Sequence, residues 1–206
     1  MKKAFILGNG PSRKPVNLEG LRDHGTIFGC NALYRDFTPD VLVAVDRRMV
    51  KEIIRENFHL NKNVQIYTVP KKQYVLNKWH ERFGINYIRK SGRIYQLTCS
   101  GTSALFVAIN PPYGSFEKIY ILGVDLWANK DDFNIYKLTE NYLREESGYD
   151  EYEMNLKYWK AYIDARPEID FVRVVGEKHI IPEEWKNIKN LKHISVEEFK
   201  AEHSGS

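Results

Sequence analysis

The sequence predicts an α/β protein built on a mostly parallel sheet with helices on both faces. Three observations predict it. Short apolar runs recur along the chain, separated by stretches with helical spacing. The run Val41–Val45 is continuously apolar, as a strand covered on both faces requires. Several runs also end abruptly in Gly, Asn or Asp, where a parallel sheet presents its ligand-binding edge.

The elements follow in order. Residues 3–8 read as the first strand, closing in "GNGPS" at 8–12. "VNLEGLRDHG" predicts a short helix ending at Gly25. "TIFGCN" reads as a second strand, and "PDVLVAVD" (39–46), started by Pro39, as a third. Residues 47–57 have helical character, and "NVQIYTVP" (63–70) is a strand stopped by Pro70. The stretch 71–95 has no clear period. In "TCSGTSALFVAINPP", Ser100-Gly101 opens a helix of small and apolar residues that Pro111 closes.

"KIYILGVDLW" (118–127) is a further strand. Residues 128–150 are polar, aromatic and turn-rich, which predicts a lid. "EYEMNLKYWKAYIDARP" predicts a helix with an apolar stripe at Met154, Tyr158, Ala161 and Tyr162. "DFVRVV" reads as the last core strand, and 177–203 as a small strand and a terminal helix. No linker composition interrupts the chain. The expectation is one nucleotide-binding α/β domain over 1–206 with a lid at 128–150.

Composition narrows the class. With 43% hydrophobic and 13% aromatic residues in 206, the chain is globular rather than disordered. No apolar run approaches the ~20 residues of a membrane span. Met1-Lys2-Lys3 runs straight into a strand with no apolar leader, which predicts a cytoplasmic chain. Cys30 and Cys99, the two cysteines, are expected to be reduced packing residues. The net charge of +4 suits an anionic ligand without requiring nucleic acid, because the basic residues (Arg47-Arg48, Lys71-Lys72, Lys90, Arg93) are scattered. None of the six histidines has metal-ligand spacing. His179 and His193 read as surface residues, and His80 as the one histidine near a loop that could serve as a base.

The strand ends carry the candidate chemistry. In "GNGPS", Gly8 and Gly10 allow close backbone approach to an anion, Asn9 and Ser12 add side-chain hydrogen bonds, and Pro11 stiffens the loop. Neither a P-loop nor a full GxGxxG follows. Asn31, after "IFGC", can both donate and accept. Asp46 ends "VLVAVD", where it can bind a ribose hydroxyl, hold a metal, act as a base or simply cap the next helix. Asp125 in "ILGVDLW" repeats that logic and has no regular helix after it to cap. Ser100, Gly101 and Thr102 stand at a helix start, where amides and the helix dipole favour a phosphate. Asp131-Asp132 reads as a solvated turn. Tyr136, Tyr142, Tyr149 and Tyr152 cluster in the lid, where aromatic rings can stack on a sugar or base.

This combination resembles the bacterial CMP-sialic-acid sialyltransferases, glycosyltransferase family 42. The resemblance rests on the GNGPS loop, Cys30-Asn31, "CSGTSALFVAI" and Gly123-Val124-Asp125, covering roughly 2–34 and 98–127. It implies a Rossmann-like sheet with a lid after Asp125, and nucleotide or sugar contacts from Asn9, Asn31, Ser100, Gly101 and Asp125. Trp127 and Phe133 stand where that family places tyrosines, and Tyr149-Asp150 precede the next helix without its histidine. "PDVLVAVD" and Asp125-Leu126 are also similar to motility-associated glycosyltransferases and 6-hydroxymethylpterin diphosphokinases. That second resemblance implies Mg²⁺ held by Asp46 and Asp125 under a triphosphate.

The leading expectation is therefore a glycosyltransferase that binds a CMP- or UDP-type nucleotide-sugar, with no cofactor required. Asp46 and Asp125 are the catalytic candidates, Asp46 or a lid residue being the base. The acceptor class (glycan, protein, DNA base or small molecule) stays open, and so does homo-oligomer formation. The alternatives are a Mg-dependent diphosphokinase and a non-catalytic nucleotide-binding protein.

Overall fold

Eight strands, all parallel, form one sheet in the order β5-β4-β3-β2-β1-β6-β7-β8. The computed structural model describes residues 1–71, 75–88, 99–125, 134–142, 152–177 and 179–203, with the side chains of 152–154 outside that set. The strands are β1 (Lys3–Leu7), β2 (Thr26–Cys30), β3 (Val41–Val43), β4 (Gln65–Thr68), β5 (Asn86–Tyr87), β6 (Lys118–Leu122), β7 (Asp170–Val175) and β8 (Leu191–Ser195). The described helices are α1 (Arg47–Arg55), α2 (Trp79–Phe83), α3 (Ser100–Ile109), α4 (Tyr152–Asp164) and α5 (Val196–His203). The fold is α/β and Rossmann-like, as the sequence predicts.

Alternation along β1 divides the core between the two faces. Ala4 and Ile6 pack with α3, α4 and Trp185 on one side. Phe5 and Leu7 pack with α1, Trp79 and α5 on the other. All four are fully buried, each large one contributing about 1.5–3 kcal/mol relative to exposure.

Several expected elements differ. Residues 16–25 form a 3₁₀ turn at Glu19–Leu21 instead of a helix. Gly20 sits inside it, and the Asn17 side chain accepts from the Gly20 amide, an Asx-type bond that competes with helical pairing. The buried stripe of α4 is Leu156, Trp159, Tyr162 and Ile163, with Tyr158 and Ala161 only half-buried. As expected, "DFVRVV" forms the last well-buried strand, β7, and the small strand of the tail is β8, a half-exposed edge strand paired with it from Phe171–Leu191 to Val175–Ser195. The 71–95 stretch contains α2 and the two-residue β5. Of the expected lid, 134–142 is described. Lys72, Lys90, Arg93, Leu126, Trp127, Asp131, Asp132, Phe133, Tyr149 and Asp150 lie outside the described residues. Among the described residues, no helix is long and apolar enough to cross a membrane.

Candidate functional site

The chain goes from β1 towards β5 on one side of the sheet, then returns to start β6 on the other side of β1. The switch in direction therefore lies between β1 and β6. In open parallel sheets the crevice outside such a point receives ligands. Here it is bounded by Gly8–Ser12 after β1 and Gly123–Asp125 after β6.

The two loops cross in close contact. The Gly8 amide donates to the Leu122 carbonyl (2.7 Å) and the Gly10 amide to the Gly123 carbonyl (2.8 Å), extending the ladder past both strands. A Cβ on Gly8 would lie 2.3 Å from the Gly123 oxygen, and Gly123 itself has φ +66 with only 2.6 Å from a built Cβ to the Gly8 oxygen. Glycine is needed here for backbone-to-backbone approach. The loop then turns through Pro11–Arg13. The Ser12 amide donates to Asp125 Oδ2 (2.9 Å), and the Gly123 amide to Ser12 Oγ (3.2 Å). A Cβ on Gly10 would strike that same Oδ2 at 2.4 Å.

Most of the GNGPS amides expected to cradle a phosphate are engaged within the protein. The amides of Gly8, Gly10 and Ser12 already bind protein acceptors, and Pro11 has none to give. Two side-chain acceptors at this corner are open, beside the buried donor Arg13 Nε. Among the described residues, Asn9 Oδ1 and Asp125 Oδ1 are both buried without a hydrogen-bond partner. Buried polar atoms are rarely left so, and each can accept from an incoming donor or a water. Asp125 also has a structural duty that the sequence did not suggest: its carboxylate anchors the start of the Pro11–Arg13 turn.

A second cluster sits over β2, β3 and α3. Ser100 Oγ donates to Asn31 Oδ1 (2.6 Å) and accepts from the Val45 amide (3.1 Å). Asn31 Nδ2 donates in turn to Asp46 Oδ2 (3.2 Å). Asn31 sits in the left-handed region, φ 50, which asparagine tolerates better than most residues. Asp46 is exposed and occupies the N-cap position of α1, yet its side chain caps no helical amide. The carboxylate is turned to the crevice side chain Asn31 rather than spent on α1.

At the start of α3 the cap is Cys99. Its sulfur accepts from the Thr102 amide (3.4 Å), and its carbonyl accepts from the hydroxyls of Thr102 (3.1 Å) and Ser103 (2.8 Å). Thr102 is fully buried with its polar groups committed to Cys99, so it shapes the helix start without facing the crevice. Gly101 is half-buried and has open surroundings, the nearest side-chain atom to a built Cβ being Trp159 at 3.4 Å. A thiol is a weak acceptor, which an anion at this helix start would outcompete. Both cysteines are free. Burial pushes the Cys30 thiol up to about 12 and raises that of Cys99, so neither is an activated nucleophile.

The loop 134–142 bridges the two clusters. The Ile135 amide donates to the Asn9 carbonyl (2.8 Å). Tyr142 is half-buried between the clusters; its hydroxyl accepts from Asn9 Nδ2 (3.4 Å) and faces the Ala32 amide. Burial holds the hydroxyl above the ordinary phenol range, so it stays protonated. Arg35 fixes the loop through Thr139 Oγ1 (2.7 Å) and the Glu140 carbonyl (2.9 Å), while Arg55 forks onto the Glu140 carboxylate (2.6 and 2.8 Å). Arg13, 3% exposed, donates to the Tyr136 hydroxyl (2.7 Å), which also pairs with Asp36. Sequence reasoning put these tyrosines in a lid but missed their anchors; the one available signal was the arginine immediately after GNGPS.

Two other expectations resolve here. Asp46 and Asp125 follow β3 and β6, three strand separations apart, or about 14 Å across the sheet. Among the described residues, no group of three or more His, Cys, Asp or Glu could hold a metal ion. His80 Nδ1 pairs with the Ile85 carbonyl (3.1 Å), between α2 and β5, away from the crevice. No protein-family model matches the chain, nor does any curated protein or solved structure.

Proposed function

We propose that the crevice binds a nucleotide-sugar of the CMP or UDP type and that the chain transfers the sugar to an acceptor hydroxyl. The observation that carries this reading is the pair of buried, unpartnered acceptors at the switch point, Asn9 Oδ1 and Asp125 Oδ1. They call for a ligand rich in donors, and ribose hydroxyls are such donors. We place the phosphate at the Ser100-Gly101 helix start, where the amides and dipole of α3 favour negative charge.

The chemistry follows from that orientation. The acceptor oxygen attacks the anomeric carbon as the bond from that carbon to the phosphate oxygen breaks. Negative charge grows on the leaving phosphate, where the α3 amides and dipole stabilise it. The acceptor proton passes to Asp46, whose exposed carboxylate is oriented by Asn31. Asp125 binds rather than reacts, since one oxygen is held by Ser12 and the other is reserved for the ligand.

A thermal-shift panel of CMP, UDP, GDP and ATP tests the binding step, each with Mg²⁺ and with EDTA. CMP or UDP is expected to raise the melting temperature in both; at a hundred times Kd, binding adds about 2.7 kcal/mol. Nucleotide release from the matching nucleotide-sugar then tests transfer, with Asp46→Asn losing release while retaining binding. A panel without any shift, or a shift with ATP that EDTA abolishes, contradicts the proposal.

A further inference from the structure

Arg173 is a charged residue in the middle of the apolar strand β7, fully buried, on the same face as Phe171. Its guanidinium does not stay beside its own strand. Nε donates to the Val124 carbonyl, Nη2 to the Asp125 carbonyl and Nη1 to the Ile180 carbonyl, each at 2.9 Å. The group lies over the Trp185 ring, 5.6 Å from its centroid. Arg173 thus grips the chain where it leaves β6, just past left-handed Gly123, and ties it to the segment that follows β7. Those carbonyls accept from Arg173, while the Asp125 carboxylate accepts from the Ser12 amide.

We infer that Arg173 is a positioning residue for the crevice: by fixing both carbonyls of Val124-Asp125, it aims the Asp125 carboxylate at Ser12 and at the incoming donor. A planar fork of five donors suits this duty, and a lysine ammonium cannot reproduce it. The inference rests on the proposed nucleotide-binding reading for its effect on affinity, but its effect on Asp125 is independent of any ligand.

The test is Arg173→Lys, alone and combined with Asp125→Ala. In the ligand-free protein, hydrogen exchange at the Ser12 amide is expected to speed up at least tenfold in Arg173→Lys, as in Asp125→Ala, while the amides of β3 and β4 keep their rates. Calorimetry with CMP and UDP is expected to show about tenfold weaker binding in each single variant. The double variant should bind no more weakly than Asp125→Ala alone, because Arg173 acts through Asp125. Unchanged Ser12 exchange, or fully additive losses of affinity, overturns the inference. Should the parent bind neither nucleotide, the proposed function fails while the Ser12 measurement still decides the role of Arg173. If Arg173→Lys does not fold, the Nε–H resonance of Arg173 in the parent decides: it must shift on saturation with the nucleotide, and an unmoved signal counts against the assignment.

Discussion

The two clusters of the crevice are built in opposite ways. At the β1/β6 corner the backbone closes on itself. Loop amides bind carbonyls across the crossing, glycines permit the contact, and two acceptor oxygens, Asn9 Oδ1 and Asp125 Oδ1, are among the atoms left open. At the β2/β3/α3 corner the backbone stands apart, and side chains make the connections in a relay from Ser100 through Asn31 to Asp46. The difference teaches that a glycine-rich loop is not by itself an anion cradle. Its amides count only where the fold leaves them free, and here those of Gly8, Gly10 and Ser12 are bound within the protein.

Glycine substitutions break that comparison most sharply. Gly123→Ala places a Cβ 2.6 Å from the Gly8 oxygen at φ +66, so it should lose about 3 kcal/mol or more of stability in denaturant unfolding. Gly101→Ala meets only ordinary contact at 3.4 Å inside a helix, and its stability should hold or rise by up to about 1 kcal/mol. Equal losses at the two positions would mean that the corners do not differ. Gly10→Val belongs with Gly123, because its side chain would strike Asp125; it is expected to lower stability as well as binding, not binding alone.

The relay gives the next effect. Ser100→Ala strips the partner from both the Val45 amide and Asn31 Oδ1, and should cost about 1–3 kcal/mol in the same assay. Asp125→Ala leaves the Ser12 amide without its charged acceptor and should also melt lower, by about 1.5–3 kcal/mol. From sequence, Asp125 looked free of any capping duty, because only the residues after it were considered. The turn it anchors comes 113 residues earlier in the chain.

That case shows where the sequence was legible. Val41–Val45, Ala4–Leu7 and "KIYIL" announce strands because their apolar runs need cover on both faces, and the structure buries them. The residues at strand ends were equally visible, since no turn requires Asn31 and Asp46 together. What a local reading could not supply was the partner of each group. The Gly8–Gly123 crossing, the Cys99 cap and the Arg173 grip all depend on which strand lies beside which. Arg173 did leave a trace, as the one charge inside the apolar run 171–175. His193 left none and was expected at the surface, yet both its ring nitrogens are buried beside β7 without partners among the described residues.

The smallest expected effect belongs to that histidine. Burial, followed by the charges of Arg173 and His179, lowers the His193 pKa to about 4. The unfolded chain binds a proton near pH 6.5 while the folded one does not, so stability should fall as pH drops from 6.5 to 4. Allowing for its partial exposure, the loss is roughly 1–2 kcal/mol. His193→Leu should flatten the melting temperature over that window; an unchanged slope would place the titration elsewhere.

The central claim is that the β1/β6 corner takes ligand hydroxyls rather than phosphate. Calorimetric Kd values for CMP and UDP, each beside its 2′,3′-dideoxy analogue, test it most directly. Loss of the two donors should weaken binding at least tenfold, about 1.4 kcal/mol, and Asp125→Ala should erase most of that difference. Equal affinity for the ribose and dideoxyribose forms would contradict the account.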